Sequence, residues 1–401
     1  MGGILIIGAG QAGASLAEKL RAAGFGGEVT LIGDEPVPPY ERPPLSKAYL
    51  MGEMVEARLY LRPPSIYDDK DIGLRLGTPV GAIDVLKKTV TIGDDSLSYD
   101  QLALAVGSVP NRLPHAIGRD LAGIHTVRTL ADIDRIRPRC RQGAQVLVVG
   151  GGYIGLEAAS VAAKLGLKVT LVELTERILQ RVAASETSDA IRAEHQAHGV
   201  DIREGVGVEC LTGEGQVSGA KLTDGSTIDL DFVIVGTGIR PDTRLAEAAG
   251  IDCDNGILVD EFGRTSAVDV WAAGDCTCFP YMGNRLRLES VQNAIDQAEA
   301  VAANMLGAQS PYVPVPWFWS DQYDLKLQIA GLSAGYDRVV SRKSEKGRSH
   351  WYFRGERFLA VDAINAPRDY MIGKRLLEMA KNVEPAQVQD PDSDLKALLR
   401  A

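Results

Sequence analysis

Short apolar runs, each bounded by glycine or by charge, predict two similar units in this chain. In the first unit the runs are Ile4–Ile7, Val29–Ile32 and Gln101–Val106, and in the second they are Val146–Val149, Lys168–Val172 and Phe232–Val235. Their lengths and the glycines beside them are typical of strands. Because a helix-like stretch follows the first run of each unit, the pattern predicts a duplicated α/β fold.

The rest of the chain predicts further elements. The tail from Glu384 is polar and contains proline, so it is predicted to be loosely held, with a short amphipathic end. The elements before it are a strand-rich stretch at Val270–Asp275, a helix at Gln292–Leu306, β-like runs at Leu325–Ile329 and Phe358–Val361, and a helix at Met371–Asn382.

The glycine loops that follow the first run of each unit share one pattern. Its first glycine allows a tight strand-to-helix turn, its second lets the backbone approach a pyrophosphate, and its third permits close helix–strand contact. The helix that begins there offers free N–H groups and partial positive charge to phosphates. One such loop is a weak signal, but two in this context predict two bound dinucleotides, which is typical of an enzyme that passes electrons between them. The glycines are Gly8, Gly10 and Gly13 in the first loop and Gly150, Gly152 and Gly155 in the second.

An acid is expected about 20 residues after each loop, where it can hold a ribose hydroxyl. After the first loop the strand ends in Gly33-Asp34-Glu35, so Asp34 fits and Glu35 is the alternative. After the second loop the strand ends at Glu173. A carboxylate accepts a hydrogen bond from a free 2′-hydroxyl and repels a 2′-phosphate, so Glu173 favours NADH over NADPH, although Arg177 lies nearby.

Composition and charge exclude several classes of function. The chain has 401 residues, enough for two or three domains, and its net charge of −10 argues against nucleic acid as the main partner. Every apolar run is broken before the roughly 18 residues that a membrane span needs, so no membrane association is expected. No basic region precedes the first apolar run, which argues against a secretory signal and favours the cytoplasm.

The cysteines predict structural thiols. Their number is odd, and they form no Cys-x-x-Cys pair and no zinc-like spacing. Cys276 and Cys278 are close in sequence, but a redox pair is not expected at this spacing. We therefore expect neither a metal site nor a catalytic disulfide. The five positions are Cys140, Cys210, Cys253, Cys276 and Cys278.

Several ordered motifs give the chain a specific resemblance to one family. Besides the two glycine loops they are Pro39–Lys47, Ala273–Asp275, Glu289–Ala294 and Pro316–Ser320. With them the chain resembles, over essentially its whole length, the FAD-dependent, NADH-linked ferredoxin reductases of bacterial oxygenase systems. The resemblance implies two Rossmann-like dinucleotide-binding domains in a glutathione-reductase-like arrangement and a C-terminal α+β domain. The implied bounds are 1–110 with 243–316 for FAD, 111–242 for NADH and 317–401 for the C-terminal domain.

For FAD, the resemblance gives single residues of these motifs a role. Asp275 would hydrogen-bond the ribityl chain, and Arg42 would contact the phosphates or the loops nearby. Val291 and Gln292 would donate backbone N–H groups from a helix start to the flavin carbonyl region, where negative charge accumulates on reduction. Trp319 would pack beside the flavin.

The resemblance also places Lys47 at the reactive side of the flavin, paired with Glu157. A cation there favours the electron-rich reduced ring, and its carboxylate keeps the cation from being buried alone. On the nicotinamide side, Tyr153 would shield the flavin until NADH arrives. Ile154 and Gly238 complete the residues predicted to bind NADH.

The implied reaction is hydride transfer from NADH to FAD, followed by two single-electron transfers to a docked [2Fe–2S] ferredoxin that supplies a cytochrome P450 or Rieske-type oxygenase. Transient docking of this kind suits a monomer or a weak dimer. Such carriers are usually acidic, so a local basic patch is expected on this acidic chain. The candidates are Arg285 with Arg287, and the arginine-rich run Arg135–Arg141.

Three alternatives share parts of this pattern. A reductase of rubredoxin or of another small carrier would have the same motifs. A disulfide reductase, a peroxide reductase or an NADH oxidase would need a cysteine beside the flavin, and Tyr40–Lys47 contains none. A flavoprotein whose redox state governs partner binding would need a further binding surface, and no long insertion provides one.

Overall fold

Two parallel sheets and one antiparallel sheet, each of five strands, organise the chain in the computed structural model, which describes residues 2–344, 347–390 and 393–400. The chain divides into two units, each assembled from three separate stretches. The first unit consists of Met1–Arg42, Val55–Val109 and Ile239–Pro314, and the second of Pro43–Met54, Pro110–Gly238 and Val315–Ala401.

The first unit is built on a parallel sheet. Its central strand Ile4–Ile7 is apolar and buried at every position, because both faces of the sheet are covered. Helices Gln11–Ala22 and Val291–Met305 contact each other and share one apolar cluster with the sheet. In spatial order the strands are Val270–Ala272, Gln101–Leu104, Ile4–Ile7, Val29–Ile32 and Ile72–Arg75.

The other elements of the first unit are short. A three-stranded antiparallel sheet contributes Ile83 and Val90 to a second apolar cluster, which also contains Leu5 and Ile7 of the central strand. These elements are the strands Ala82–Asp84, Thr89–Ile92, Asp95–Ser98, Ile257–Leu258, Thr277–Tyr281 and Asn284–Leu286, the helices Pro64–Asp69 and Arg244–Ala248, and the 3₁₀ turn Glu56–Arg58.

The second unit repeats the parallel sheet. Helix Tyr153–Lys164 follows strand Gln145–Val149, as Gln11–Ala22 follows Ile4–Ile7. Four strands have the same chain order and the same spatial order in both sheets, so the predicted duplication is confirmed, while the fifth, at one edge, comes first in the chain order of this sheet and last in that of the other. In that order the strands are Ile124–Thr126, Phe232–Val235, Gln145–Val149, Lys168–Glu173 and Asp201–Glu204. The other elements include helices Ala48–Met51, Leu130–Ile136 and Ser185–Ala197 and the antiparallel strands Val208–Thr212, Gly219–Leu222 and Thr227–Asp229.

The last stretch of the second unit forms the antiparallel sheet. Helix Pro367–Glu378 packs on it, and the apolar cluster between them includes Trp351, Val361 and Leu376. The sheet and helix confirm the predicted α+β architecture of this stretch. In spatial order the strands are Trp317–Gln322, Leu325–Gly331, Arg357–Ile364, Arg348–Arg354 and Arg338–Lys343.

The tail from Glu384 differs from its prediction. Its described residues form helix Pro385–Gln389 and a 3₁₀ turn at Leu395–Leu399. Val388 and Leu395 are buried in the cluster that also contains Trp351. The expectation of a loosely held tail was therefore wrong, because two separated apolar residues anchor it. Within the described residues, no helix combines the length and apolar character needed to cross a membrane.

Candidate functional site

The first glycine loop has the geometry that its pattern predicts. Gly8 adopts a φ of +113°, and a Cβ there would lie 2.2 Å from the carbonyl oxygen of Ala105. A Cβ on Gly13 would lie 1.9 Å from the carbonyl oxygen of Gly8, so only glycine lets the helix approach the strand this closely. A Cβ on Gly10 would meet no atom within 4 Å. Gly10 therefore leaves room for a ligand at the N-terminus of helix Gln11–Ala22, as a pyrophosphate requires.

The second loop repeats this geometry. Gly150 has a φ of +108°, and its Cβ would lie 2.5 Å from the carbonyl oxygen of Gly236. A Cβ on Gly155 would lie 2.0 Å from the carbonyl oxygen of Gly150, whereas one on Gly152 would come no closer than 4.0 Å to Gly236. Because Gly152, which has no side chain, is the N-cap of helix Tyr153–Lys164, the N–H groups of the first turn remain available to phosphate.

Two further predicted residues lie near this loop in the second unit. Ile154 is in the first helical turn and is 41% exposed. Gly238 follows strand Phe232–Val235, which pairs with Gln145–Val149, and it adopts a φ of +95°. Both therefore lie at the carboxyl end of the parallel strands, where open α/β sheets bind ligands.

Glu173 is held against the second glycine loop. Its Oε2 accepts a hydrogen bond from the backbone N–H of Gly151 at 2.7 Å. Its Oε1 accepts from the backbone N–H of Thr175 at 2.8 Å and from the Thr175 hydroxyl at 2.7 Å. Arg177, the residue that could have weakened selection against a phosphate, instead donates to the Ser188 hydroxyl at 2.5 Å. The negative charge of Glu173 is therefore fixed and is not neutralised by this arginine.

At the end of the corresponding strand in the first unit, two acids behave differently. Asp34 is exposed directly after strand Val29–Ile32. Glu35 is half-buried, forms an ion pair of 2.8 Å with Arg42 and accepts from the Tyr40 hydroxyl at 2.7 Å. Because Glu35 is engaged with Arg42, Asp34 is the better candidate for a ribose.

Gly274 marks the point where three predicted features of the first unit meet. A Cβ on Gly274 would lie 3.0 Å from Ala12, on the helix of the first loop, and 4.0 Å from Ala294, in the first turn of Val291–Met305. The next residue, Asp275, accepts from the Ser108 hydroxyl at 3.1 Å. The structure thus brings together the first glycine loop, Asp275 and the helix that begins at Val291.

Lys47 and Glu157 form a close ion pair, with Nζ 2.6 Å from Oε2. The Glu157 side chain is 3% exposed, and it also accepts from the hydroxyls of Ser46 and Ser320, each at 2.7 Å. These three donors offset the desolvation of the carboxylate. Lys47 has three N–H groups, of which one donates to Glu157 and one to the carbonyl oxygen of Pro43 at 3.3 Å. Within the described residues, one N–H of this ammonium therefore remains for a ligand.

The two predicted aromatic residues lie in different surroundings. Trp319 is half-buried in strand Trp317–Gln322, with its ring 5.6 Å from that of Trp317. The ring of Tyr153 contacts Phe318 at 4.7 Å. The Tyr153 hydroxyl is buried and has no hydrogen-bond partner in the described part of the chain, and burial raises its pKa well above the ordinary value. Tyr153 is therefore neutral, and its ring packs on that of Phe318.

The site also includes residues that the sequence did not reveal. Ser46, Ser320, Gln322 and His195 connect to Glu157 through buried hydrogen bonds. They come from three distant parts of the chain, and no spacing rule relates them. The sequence pointed to only two of them: Ser46 lies in the motif Pro39–Lys47, and Ser320 lies in the motif Pro316–Ser320.

The cysteines lack the environment of a reactive thiol. All five are free. Cys276 is buried beside the first parallel sheet and donates to the carbonyl oxygen of Ala273 at 3.4 Å. Burial raises the pKa of Cys276 to about 12 and that of Cys140 and Cys253 to about 11. Nucleophilic thiols need a lowered pKa, so these three cysteines are structural.

The arginines considered for carrier docking make internal contacts. Arg285 donates to two backbone carbonyl groups, and Arg287 pairs with Glu289. In the run Arg135–Arg141, Arg137 lies over the ring of Tyr49 at 4.4 Å and donates to its carbonyl oxygen. These three arginines therefore each have an intramolecular partner.

Two family models match the chain. The model of pyridine nucleotide-disulphide oxidoreductases matches residues 3–298, and the reductase C-terminal model matches residues 317–399. The chain belongs to the pyridine nucleotide-disulphide oxidoreductase family. This membership confirms the predicted class of enzyme, an oxidoreductase that uses FAD and a pyridine nucleotide.

Members with known activity are similar over nearly the full length. A ferredoxin–NAD(P)(+) reductase of a Sphingomonas species is 44% identical over 401 residues, covering 98% of this chain and 96% of that protein. The crystal structure of the covalent putidaredoxin reductase–putidaredoxin complex matches with a TM-score of 0.96 and 39% identity, covering 100% of this chain and 98% of the other. The ferredoxin reductase for the CYP199A2 system of Rhodopseudomonas palustris matches with a TM-score of 0.95 and 38% identity, covering 98% and 99%.

Proposed function

We propose that this protein is a flavoprotein reductase that passes electrons from NADH through FAD to a [2Fe–2S] ferredoxin, which supplies a cytochrome P450 or Rieske-type oxygenase. The observation that carries the proposal is the pair of matched glycine loops, each with an open second glycine at a helix N-terminus. The full-length similarity to ferredoxin reductases supports the choice of carrier. Free cysteines suit the reducing cytoplasm, where we place the protein as a monomer or weak dimer.

We assign the cofactors to separate parts of the chain. FAD belongs to residues 1–110 and 243–316, and NADH to residues 111–242. The FAD residues in these two stretches are Gly8, Gly10, Gly13, Asp34, Arg42, Lys47, Asp275 and Val291, and the C-terminal domain adds Trp319. The NADH residues are Gly150, Gly152, Tyr153, Ile154, Gly155, Glu173 and Gly238.

The protein's own groups bind, orient and supply fixed charge. FAD, when bound, accepts a hydride from NADH and returns the electrons singly, which matches a two-electron donor to a one-electron carrier. The remaining N–H of Lys47 supplies positive charge, and Glu157 holds that ammonium in place. Glu173 selects the nucleotide whose ribose has a free 2′-hydroxyl.

Thiol-based reactions are not supported by the cysteines. A disulfide or peroxide reductase needs a nucleophilic thiol beside the flavin. Cys276, the buried cysteine next to Asp275, has a pKa raised to about 12 by burial. At neutral pH its thiolate form is therefore negligible, which argues against a thiol-based reaction at Cys276.

The test is NADH-driven reduction of cytochrome c by the purified holoenzyme, with and without a [2Fe–2S] ferredoxin from the same organism. We expect the rate to rise steeply with ferredoxin concentration. A rubredoxin at the same concentration serves as the alternative carrier. Equal NADH consumption without either carrier, with oxygen as the acceptor, would contradict the proposal.

A further inference from the structure

Buried hydrogen bonds lead from Glu157 into the C-terminal sheet. Ser320 Oγ lies 2.7 Å from Glu157 Oε1, Gln322 Nε2 lies 3.1 Å from Ser320 Oγ, and His195 Nε2 lies 2.8 Å from Gln322 Oε1. None of these four residues is more than 3% exposed. Each therefore depends on its neighbours in this series, which we call the Glu157 chain, for its hydrogen bonds.

The charge of Glu157 fixes which group donates and which accepts in each hydrogen bond of the Glu157 chain. An ionised carboxylate only accepts, so Ser320 donates its single proton to Glu157 and accepts from Gln322. Gln322 then turns its amide N–H toward Ser320 and its carbonyl oxygen toward His195. Because a carbonyl oxygen only accepts, His195 must hold its proton on Nε2.

The fold fixes the members of the Glu157 chain in place. Ser320 and Gln322 are alternate residues of strand Trp317–Gln322, so their side chains share one face. His195 lies in helix Ser185–Ala197, and burial lowers its pKa to about 4, so the ring is neutral at neutral pH. Beyond it, the Tyr323 hydroxyl lies 3.5 Å from His195 Nδ1.

We infer that Ser320 and Gln322 are positioning residues of the Lys47–Glu157 pair, and that the charge of Glu157 sets the tautomer of His195. Lys47 and Ser46 both donate to Oε2 of Glu157, whereas within the described residues Oε1 accepts from Ser320. Without Ser320, a buried oxygen loses its donor, and the carboxylate is free to turn away from Lys47. The consequence for the reaction rests on the proposed function.

Replacing Glu157 by Gln should reverse the direction of the hydrogen bonds in the Glu157 chain. Two donors, Lys47 and Ser46, face the Oε2 position, so the amide oxygen of the variant must occupy it and the amide N–H must face Ser320. Ser320 then donates to Gln322, whose amide turns its N–H toward His195. His195 consequently accepts at Nε2 and holds its proton on Nδ1.

Long-range ¹H–¹⁵N spectra of the ¹⁵N-labelled holoenzyme distinguish the two tautomers. The protein has five histidines, and the variant His195→Gln identifies the signals of His195 because they are lost from its spectrum. Tyr323→Phe provides a second assignment, because it removes the hydroxyl beside Nδ1. We expect Nε2–H in the wild type and Nδ1–H in Glu157→Gln. Nδ1–H in the wild type, or the same tautomer in both proteins, overturns the inference.

Stopped-flow reduction by NADH tests the positioning role. Because hydrogen bonds to ionised groups are strong, we expect Ser320→Ala to slow flavin reduction about tenfold at unchanged KM for NADH. Ser320→Thr keeps the hydroxyl and should recover most of the rate. The matched control is Ser349→Ala, which removes a buried hydroxyl that donates to Asp369 at 2.6 Å in the same sheet. An undiminished rate in Ser320→Ala, or an equal loss in Ser349→Ala, refutes the positioning role.

The two experiments separate failure of this inference from failure of the proposed function. The His195 tautomer depends on the hydrogen bonds of the Glu157 chain and requires no electron carrier. If ferredoxin receives no electrons while the tautomer switches as expected, the proposed function fails and the Glu157 chain stands. If ferredoxin is reduced normally and the tautomer does not switch, the inference about the Glu157 chain is refuted and the proposed function stands.

Discussion

Glu173 accepts a hydrogen bond from the backbone N–H of Gly151, with Oε2 2.7 Å from the nitrogen. The carboxylate ends a central strand and is tied to the glycine loop that we assign to NADH. Thr175 holds its second oxygen through two further hydrogen bonds. The position of the Glu173 carboxylate is therefore set by the backbone of the loop as well as by Thr175.

Neutralising Glu173 should narrow the preference for NADH over NADPH. In Glu173→Gln we expect the ratio of the two kcat/KM values to fall about tenfold, which corresponds to about 1.4 kcal/mol, because repulsion of a 2′-phosphate is removed. The control is Glu176→Gln, the same change of charge at an exposed position three residues later. An unchanged ratio in Glu173→Gln would exclude this residue from nucleotide selection.

Two glycines of the first loop should respond differently to alanine. A Cβ on Gly13 would lie 1.9 Å from a carbonyl oxygen, so Gly13→Ala should lower Tm by about 5 °C or more. A Cβ on Gly10 meets no protein atom within 4 Å, so Gly10→Ala should keep the Tm of the apoprotein but lose FAD. Thermal denaturation and flavin absorbance measure the two effects. If Gly10→Ala retained all its FAD, the loop would not hold the pyrophosphate.

Removing the Asp275 carboxylate should weaken retention of FAD. We expect Asp275→Ala to raise the Kd for FAD about tenfold, since one hydrogen bond between a charged group and the ribityl chain is lost. The control is Asp269→Asn in the same unit, where the carboxylate pairs with Lys88 instead. Flavin remaining after dialysis gives the measurement. A fully yellow Asp275→Ala protein would contradict the assignment.

Asp362 should make stability depend on pH. Burial raises its pKa to about 6, although the hydroxyls of Tyr352 and Thr187 donate to it. An unfolded Asp titrates at about 3.9, so the folded state binds the proton more tightly, and the contribution of Asp362 to the free energy of unfolding falls by about 3 kcal/mol as pH rises from about 4 through 6.

Asp362→Asn isolates this effect, because its amide does not titrate. We expect the Tm of the wild type, relative to the variant, to decrease between pH 4 and pH 7. Burial lowers the pKa of His125, His195 and His350 to about 4, and these three histidines contribute in the opposite sense, but equally in both proteins. A constant Tm difference over this range would show that Asp362 does not take up a proton in the folded protein.

The glycine loops and the acid at Glu173 could be predicted because each depends on local geometry. A strand, a tight turn and a helix start lie within a few residues of one another, and the second strand ends a fixed distance later. Contacts between residues that are far apart in the sequence could not be predicted in this way. Glu157, Ser320 and His195 meet through side-chain hydrogen bonds, and no periodicity in the sequence relates them.

The tail shows a second limit of sequence patterns. Val388 stands alone among polar residues and proline, and Leu395 has only Leu398 and Leu399 at helical spacing, so the sequence indicates no more than a short amphipathic end. Both are nevertheless buried, because the sheet and helix Pro367–Glu378 offer an apolar surface that single-segment patterns do not show. Burial of this kind depends on what a segment meets, and local composition does not predict it.

The strand order has a consequence for synthesis on the ribosome. The edge strand Ile124–Thr126 of the second parallel sheet precedes its neighbours in the chain, so that sheet is complete once Phe232–Val235 has been made. The first sheet must wait for Val270–Ala272. The parallel sheet that begins first during synthesis is thus the one that is completed last. Nascent chains that stop short of residue 270 leave that sheet without its last strand.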